Sequence, residues 1–550
     1  MADLFQFTKY WNTVRYLKPV QVYGRLWFKI HRPKPDLRPS PQLRIQKGTW
    51  NDGIRKRQSM FGPSHFRFLN EEHELSSSFD WNNPSWDKLW LYNLHYFDDL
   101  NAVGAEHRRE WQLASMRRWI LENPPGFGNG WEPYPTSLRI VNWIKWSLKG
   151  EVLPEDVARS LAVQTRFLRD RLEYHLLGNH FFANVKALVF AGLFFSNLEA
   201  ERWLKKGLCS LAHEIPEQVL TDGGHFERSP MYHSTVLEDL LDLINLTSVY
   251  SAALPGDWRK TLDEWKKTAR RMLFWLKVMS HPDGDIVLFN DAALGTAPPW
   301  GELEAYAGRL SISPVSGTGP ALVHLPDTGY VRVRNGPAIA FCDVGPCGPD
   351  YLPGHAHADT LTFELSIHGQ RVVVDSGTSC YGNGPDRIRQ RSTAAHNTVT
   401  IDRRDSSETW GGFRVARRAR PFDLEVCNRG EEIAISCSHD GYARLPGRPV
   451  HRRQWDFRKN ELSIKDTISG VFSEATARLH FHPDIGIKLV GPGRISADLP
   501  SGRKLDLGFA GGIGDLKCST YHPGFGKTLE NKCLEIKFTS PELHTIFKWA

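Results

Sequence analysis

The residue types best suited to proton transfer or metal binding cluster in Gly354-His355-Ala356-His357-Ala358-Asp359. His355, His357 and Asp359 alternate with small residues, and an alternating run from Thr360 to Ile367 follows. Residues two apart in a strand share a face. The spacing therefore predicts three polar side chains on one side of an early-starting strand, with Pro353-Gly354 as the turn leading in. A second strand is expected over 371–375, ending at Asp375, and His396 follows in Ala395-His396-Asn397. Two imidazoles and a carboxylate suit a zinc-like ion. His357, Asp375 and His396 are thus the expected metal ligands, which leaves His355 for chemistry. A lone strand histidine is more often packing than a ligand; the joint pattern carries this reading.

Four further stretches interrupt apolar helical patterns with polar groups. They are Trp90 to Phe97 with His95, Gly130 to Arg139 with Tyr134, Gly178-Asn179-His180, and Asp222 to His233 with Glu227, Arg228 and Tyr232. Each has a structural reading too. Asn179 suits a helix N-cap, Ser229-Pro230 marks a helix start, and Tyr232 or Tyr134 alone reads as packing.

Helices must position these groups in the first half. Apolar residues recur at three- and four-residue spacing over 87–100, 106–122, 136–150, 154–174, 180–198, 199–215, 229–251 and 258–280. Gly/Pro punctuation between them suggests successive helical hairpins. Residues 1–85 form a mixed opening segment, with an amphipathic helix over 17–30 and a Pro-rich linker over 32–42. Residues 86–310 form the helical domain. The chain turns Ser/Pro/Gly-rich over 311–320, and 311–550 reads as many short antiparallel strands, a sandwich pattern. The fold class is therefore α+β and multidomain, with a cleft between halves as the place for a ligand.

The totals are those of a globular protein: 550 residues, 41% hydrophobic and 24% charged, with 19 Trp and a net charge of +7. The positive balance favours a polyanionic partner, and Arg414 to Arg420 is the densest basic tract. No nucleic-acid motif accompanies it. The eight Cys form no CxxC pair. The opening residues lack an apolar core, so no signal peptide is expected, and no run is long enough to span a membrane. That points to the cytoplasm, or to an exported bacterial protein seen without its leader.

Taken together, Gly178-Asn179-His180, Glu227 to His233, the His355/His357 segment and Ser392 to Thr398 resemble the heparinase II/III-like family of polysaccharide lyases, over roughly Leu89 to Asp402. The resemblance implies an incomplete (α/α) toroid followed by antiparallel sheets. It implies β-elimination on uronic-acid polysaccharides, most often glycosaminoglycans such as hyaluronan, chondroitin or heparan sulfate. Alginate or a bacterial exopolysaccharide is the alternative substrate. By motif, Asn179 would neutralise the uronate carboxylate, His355 would act as base and Tyr232 as acid. His95, Tyr134, Arg139, His180 and Arg228 would contact substrate. The metal at His357, Asp375 and His396 would be a structural divalent ion, zinc before manganese or calcium.

Three other classes stand beside this one. A glycoside hydrolase needs two facing carboxylates, and Asp222, Glu227, Asp283 and Asp291 are available. A metal-dependent hydrolase would centre on His355, His357 and Asp359. A non-catalytic polysaccharide-binding or biosynthesis-associated protein could keep the same fold.

Overall fold

The computed structural model describes residues 2–313 and 319–549. Of the expected 311–320 linker, residues 314–318 lie outside the described residues. Two helices open the chain, α1 (Ala2–Val14) and α2 (Pro19–Ile30). The helical region follows with α3 (Lys88–Tyr96), α4 (Arg109–Glu122), α5 (Pro133–Leu148), α6 (Glu155–Arg169), α7 (Gly178–Phe194), α8 (Leu198–Gln218), α9 (Pro230–Val249), α10 (Trp258–Val278) and α11 (Trp300–Arg309). Eight of these answer to the eight expected periodic stretches, with ends displaced by caps and short 3-10 turns.

α7 is apolar on nearly every side and is buried along its length between α5, α8 and α9. A helix without a polar face belongs inside. α9 starts where Ser229 caps it, its hydroxyl accepting from the Tyr232 amide at 3.2 Å, with Pro230 in the first turn.

The paired strands of the three main sheets in the second half all run antiparallel. Leu322–Leu325, Tyr330–Asn335, Ala338–Asp343, Phe363–Ile367 and Gln370–Val373 form a five-stranded meander. An eight-stranded sheet runs from Pro421–Asn428 at one edge to Gly486–Gly491 at the other, and a four-stranded sheet centres on Ala475–His480 and Lys527–Phe538. Val450–Arg458 alternates buried and half-buried residues with the period of a half-covered strand. Inward residues of all three sheets share one apolar core, including Phe363, Trp455, Leu534 and Phe547.

The halves are packed together rather than tethered. Val374, Tyr521 and Phe525 join the core of the helical region. Trp275 and Val278 of α10, and Met279 just after it, pack with Val323, Tyr330 and Phe341. Polar bolts add to this: Asp222 accepts from the Thr328 amide and hydroxyl, both at 2.8 Å, and Arg228 Nε donates to the Thr328 carbonyl at 3.0 Å.

The segment from His355 to Asp359 is loop, not strand; the strand begins only at Phe363. Leu361 takes a left-handed φ of 65°, which ends any early extended run. The loop is tied elsewhere instead. The His357 amide donates to Asn290 Oδ1 at 3.0 Å, the Ala358 amide to the Arg391 carbonyl at 3.0 Å, and the Arg391 guanidinium to the Ala356 carbonyl at 2.8 Å. Alternation therefore does not put His355, His357 and Asp359 on one face.

Candidate functional site

A cavity of about 520 Å³ opens between the halves, lined by Tyr134, Asn179, His180, Tyr232, His355 and Tyr381 among others. That volume suits a few sugar rings rather than a whole polymer. The helical half supplies the first four, and loops of the β half supply His355 and Tyr381.

His355 is fixed from two directions. Its Nδ1 is hydrogen-bonded to the buried Glu227 carboxylate, and its ring stacks on Tyr232 with centroids 3.8 Å apart. Glu227 also accepts from the Asn179 backbone amide at 3.5 Å. Burial opposes the charge on Glu227, but His355 and that amide hold its carboxyl below the usual range. An ionised Glu227 accepts the Nδ1–H of His355, which leaves Nε2 as the ring nitrogen outside that pair. The Tyr232 hydroxyl meets the Tyr381 hydroxyl at 2.8 Å. Burial, then Tyr381 and Asp291, pushes the Tyr232 phenol well above its ordinary range, so it remains a proton donor.

Asn179 opens α7 one residue after a strained turn. Leu177 and Gly178 have φ of 62° and 55°. At Gly178 an added β-carbon would lie 2.4 Å from Leu352 Cδ2 and 2.9 Å from Glu227 Oε1. His180 follows on the cavity wall, its Nδ1 3.2 Å from Glu173 Oε1 and its ring 4.4 Å from that of Tyr134. Burial works to lower the His180 pKa, but Glu173 overrides it and raises it.

Several expected contacts lie elsewhere. His95 is enclosed, with Nε2 2.9 Å from the Trp81 carbonyl and Nδ1 accepting from Trp119 at 2.9 Å. Arg139 is fully buried and donates to Gln164, the His95 carbonyl and the Gly130 carbonyl, at 2.9, 3.2 and 2.8 Å. Arg228 spans to the β half with a left-handed φ of 59°. None of the three lines the cavity. Their residue types suggested ligand contacts, whereas their partners are backbone carbonyls and neighbouring side chains.

The expected metal ligands also divide. His396 Nδ1 bonds Asp375 at 2.6 Å and His357 Nε2 bonds Asp291 at 2.9 Å. Asp291 is held in turn by Arg387 through Nη2 at 2.7 Å. Among the described residues, no three His, Cys, Asp or Glu side chains converge as a metal-binding set. The two histidine rings are nevertheless neighbours, 5.3 Å between centroids, and their other nitrogens, His357 Nδ1 and His396 Nε2, are buried without a hydrogen-bond partner.

The four carboxylates considered for hydrolysis are committed outside the cavity. Asp222 serves Thr328, Glu227 serves His355, Asp283 pairs with Arg371 at 2.6 Å, and Asp291 serves Arg387. The cavity lysines are answered as well: Lys186 by Asp239 at 2.6 Å and Asp242 at 2.7 Å, and Lys56 by Glu238 at 2.6 Å.

Sequence reasoning overlooked Tyr381 and the duty of Glu227. The only trace of Tyr381 was its place in a short polar stretch past a strand, Ser379-Cys380-Tyr381-Gly382. Glu227 stands in the sequence within the Glu227 to His233 stretch and among the unpaired acids, with nothing to tie it to His355.

Comparison with known proteins agrees along the chain. The family model "Heparinase II/III N-terminus" matches residues 91–307, and "Heparinase II/III-like, C-terminal" matches residues 317–550. The chain is similar to the heparin-sulfate lyase of Bacteroides stercoris, 27% identical over 254 residues, covering 43% of this chain and 37% of that one. The heparin-sulfate lyase of Pedobacter heparinus is 25% identical over 428 residues, covering 70% and 59%. Those two alignments therefore span less than two thirds of either relative. The FtsZ-localized protein C of Caulobacter vibrioides is 23% identical over 441 residues, covering 76% and 73%. A crystal structure of heparinase III superposes with a TM-score of 0.68 at 17% identity, covering 83% of this chain and 77% of that one, a likeness of fold. The two matched regions account for most of the chain, helices and sheets alike, and by them it belongs to the heparinase II/III-like family.

Proposed function

We propose that this protein is a polysaccharide lyase that cleaves a uronic-acid polymer by β-elimination, with glycosaminoglycans the leading substrate class. The observation that supports it most is the stacked His355–Tyr232 pair, with Glu227 behind it and Asn179 beside it, in one cavity. The helical half is read with it as an incomplete (α/α) toroid whose mouth is that cavity.

In this reading the Asn179 side-chain amide hydrogen-bonds the uronate carboxylate and stabilises the charge that grows as the C5 proton leaves. His355 Nε2 takes that proton, and the Glu227 carboxylate stabilises the imidazolium formed. Tyr232 gives its phenolic proton to the departing O4 oxygen, the C4–O4 bond breaks, and a C4–C5 double bond remains. Tyr381, hydrogen-bonded to Tyr232, aligns the phenol; the proton taken up by His355 then passes by way of solvent to the Tyr232 phenolate, which restores both groups. His180 and Tyr134 offer a polar edge and an aromatic face to a neighbouring sugar.

A structural divalent ion belongs to the same proposal. His357 Nδ1 and His396 Nε2 fit it, being buried imidazole nitrogens without partners, while Asp375 stands behind His396 as its orienting carboxylate. Bound there, the ion would supply a fixed positive charge behind the loop carrying His355. Metal content by elemental analysis, with the unfolding midpoint before and after chelation, tests this. About one equivalent of metal and a midpoint that falls on chelation are expected; metal-free protein with an unchanged midpoint removes the ion from the proposal.

The reaction itself is tested by following ultraviolet absorbance over time with hyaluronan, chondroitin sulfates, heparan sulfate, heparin, alginate and bacterial exopolysaccharides. The expected result is a rise on at least one polymer, falling by about 10²–10⁴-fold in Tyr232→Phe and His355→Ala. New reducing ends without absorbance would replace elimination by hydrolysis. The similarity to an FtsZ-localized protein supports a second reading, a binding protein on the same fold. That reading predicts polymer binding without turnover.

A further inference from the structure

Helix α2 is attached by one side only. Gln21 and Gly24 are buried, and the Gln21 side chain donates to the Tyr351 carbonyl at 3.0 Å. A β-carbon on Gly24 would lie 3.3 Å from the His175 backbone nitrogen, and Arg171 lies over the Phe28 ring at 3.7 Å. Residues 21, 24 and 28 follow helical spacing and form the attached stripe. The other side is Val22, Tyr23, Leu26, Trp27 and Ile30, between 52% and 77% exposed. Tyr10, Trp11 and Val14 of α1 and Leu17 in the connection are exposed too. Scattered exposed apolar residues are ordinary, but a stripe at helical spacing along α2 that carries Tyr23 and Trp27 marks a contact surface.

Charge indicates which contact. From Lys9 to Lys34 the chain carries seven Lys and Arg and no Asp or Glu. Lys18 is answered by Glu217 at 2.6 Å, whereas Arg25, Lys29, Arg32 and Lys34 are exposed along the margin of the stripe. Apolar and aromatic side chains bordered by cations are the composition of a helix lying in the headgroup region of an anionic bilayer. Two copies of this chain meeting through the stripe would oppose the same cations, with no acid in the segment to compensate. No helix among the described residues is long and apolar enough to cross a membrane, so the fit is to the bilayer surface.

We propose that α2, extended by α1, docks this protein on anionic lipid membranes. The surface is independent of the cavity residues, so the proposal stands apart from the lyase reading. The test is flotation of the full-length protein with vesicles of phosphatidylcholine alone and of phosphatidylcholine mixed with phosphatidylglycerol. Binding is expected on the mixed vesicles, weakened by salt and near background on the neutral ones. Leu26→Asp with Trp27→Asp should lower the bound fraction by on the order of tenfold, and Arg25→Glu with Lys29→Glu should abolish the preference for anionic lipid. All these side chains are exposed, so an unchanged unfolding midpoint would show that the variants fold. Failure of the wild-type chain to bind either vesicle overturns the proposal. So does equal binding to both that survives the substitutions. A dimer lost in Leu26→Asp, without vesicle binding, would assign the stripe to a second copy and overturn it too.

Discussion

At the scale of single residues, His355 joins three features: a carboxylate behind its ring, a stack on Tyr232 and a place on the cavity wall. The buried His357 and His396 are also paired with carboxylates but lie off the cavity. Glu227 fixes the ring and its tautomer without lining the cavity, which makes it a positioning residue. Glu227→Gln keeps the shape and removes the charge. The expected outcome is a kcat lower by about 10–10²-fold with KM nearly unchanged, measured as initial rates over substrate concentration. A purely structural role would lower the unfolding midpoint and leave kcat alone. Tyr381→Phe removes one hydroxyl from the Tyr232 contact and should cost less than Tyr232→Phe in the same assay. Much of this site was legible from residue type, since Asn179, Tyr232 and His355 sit where polar groups interrupt apolar patterns. The Glu227–His355 pairing was not, because the two are 128 positions apart. Arg139 and His95 show the converse. A buried polar side chain looks like a ligand contact until its partners are known, and here they include the Gly130 and Trp81 carbonyls.

Among the elements, the start of α7 carries the most. Gly178 has a φ of 55° and faces Leu352 and Glu227 with no room for a β-carbon. Gly178→Ala should therefore cost about 1–3 kcal/mol of stability through backbone strain. It should also lower kcat by displacing Glu227, and denaturant unfolding beside steady-state kinetics measures both. Unchanged values would mean that the turn relaxes freely. Helices were well marked in the sequence because eight long periodic stretches leave little ambiguity. The segment around His355 was misleading for a physical reason. Alternation of small and polar residues mimics a strand, and what makes it a loop is tertiary: the bonds to Asn290 and Arg391, and the turn at Leu361.

For the molecule as a whole, the shared core of the two halves predicts a common response to acid. Burial holds His95 and His233 at about 3 and His225 at about 4, against an ordinary 6.5. These groups stay neutral when folded and take up protons when unfolded. Their contribution to stability is thus complete above pH 6.5 and declines as pH falls towards those values, by about 1.4 kcal/mol per pH unit for each histidine. Asp466 adds a second stage. Burial opposes its charge, but Arg453 and His451 hold its carboxyl well below 3.8, so its contribution is present above that pH and lost below it. Unfolding midpoints should fall from about pH 6.5 downward and go on falling below about pH 4, where Asp466 takes over as His225 drops out, in one transition for both halves. Scanning calorimetry across that range checks the order. A midpoint that holds level between pH 6.5 and 5 would contradict the neutral-histidine account.

The 3.8 Å stack of His355 on Tyr232 also has a stereochemical consequence. Two groups in face-to-face contact approach a bound pyranose from the same side. The proton at C5 and the oxygen at C4 would then leave from one face, a syn elimination. Glucuronate and mannuronate present those two substituents together, whereas their C5 epimers, iduronate and guluronate, place them on opposite faces. In a chain of mixed epimers, the proposed lyase would cut at the first kind and leave runs of the second intact. The sizes and end groups of its limit digest would then record where an epimerase had acted on the polymer.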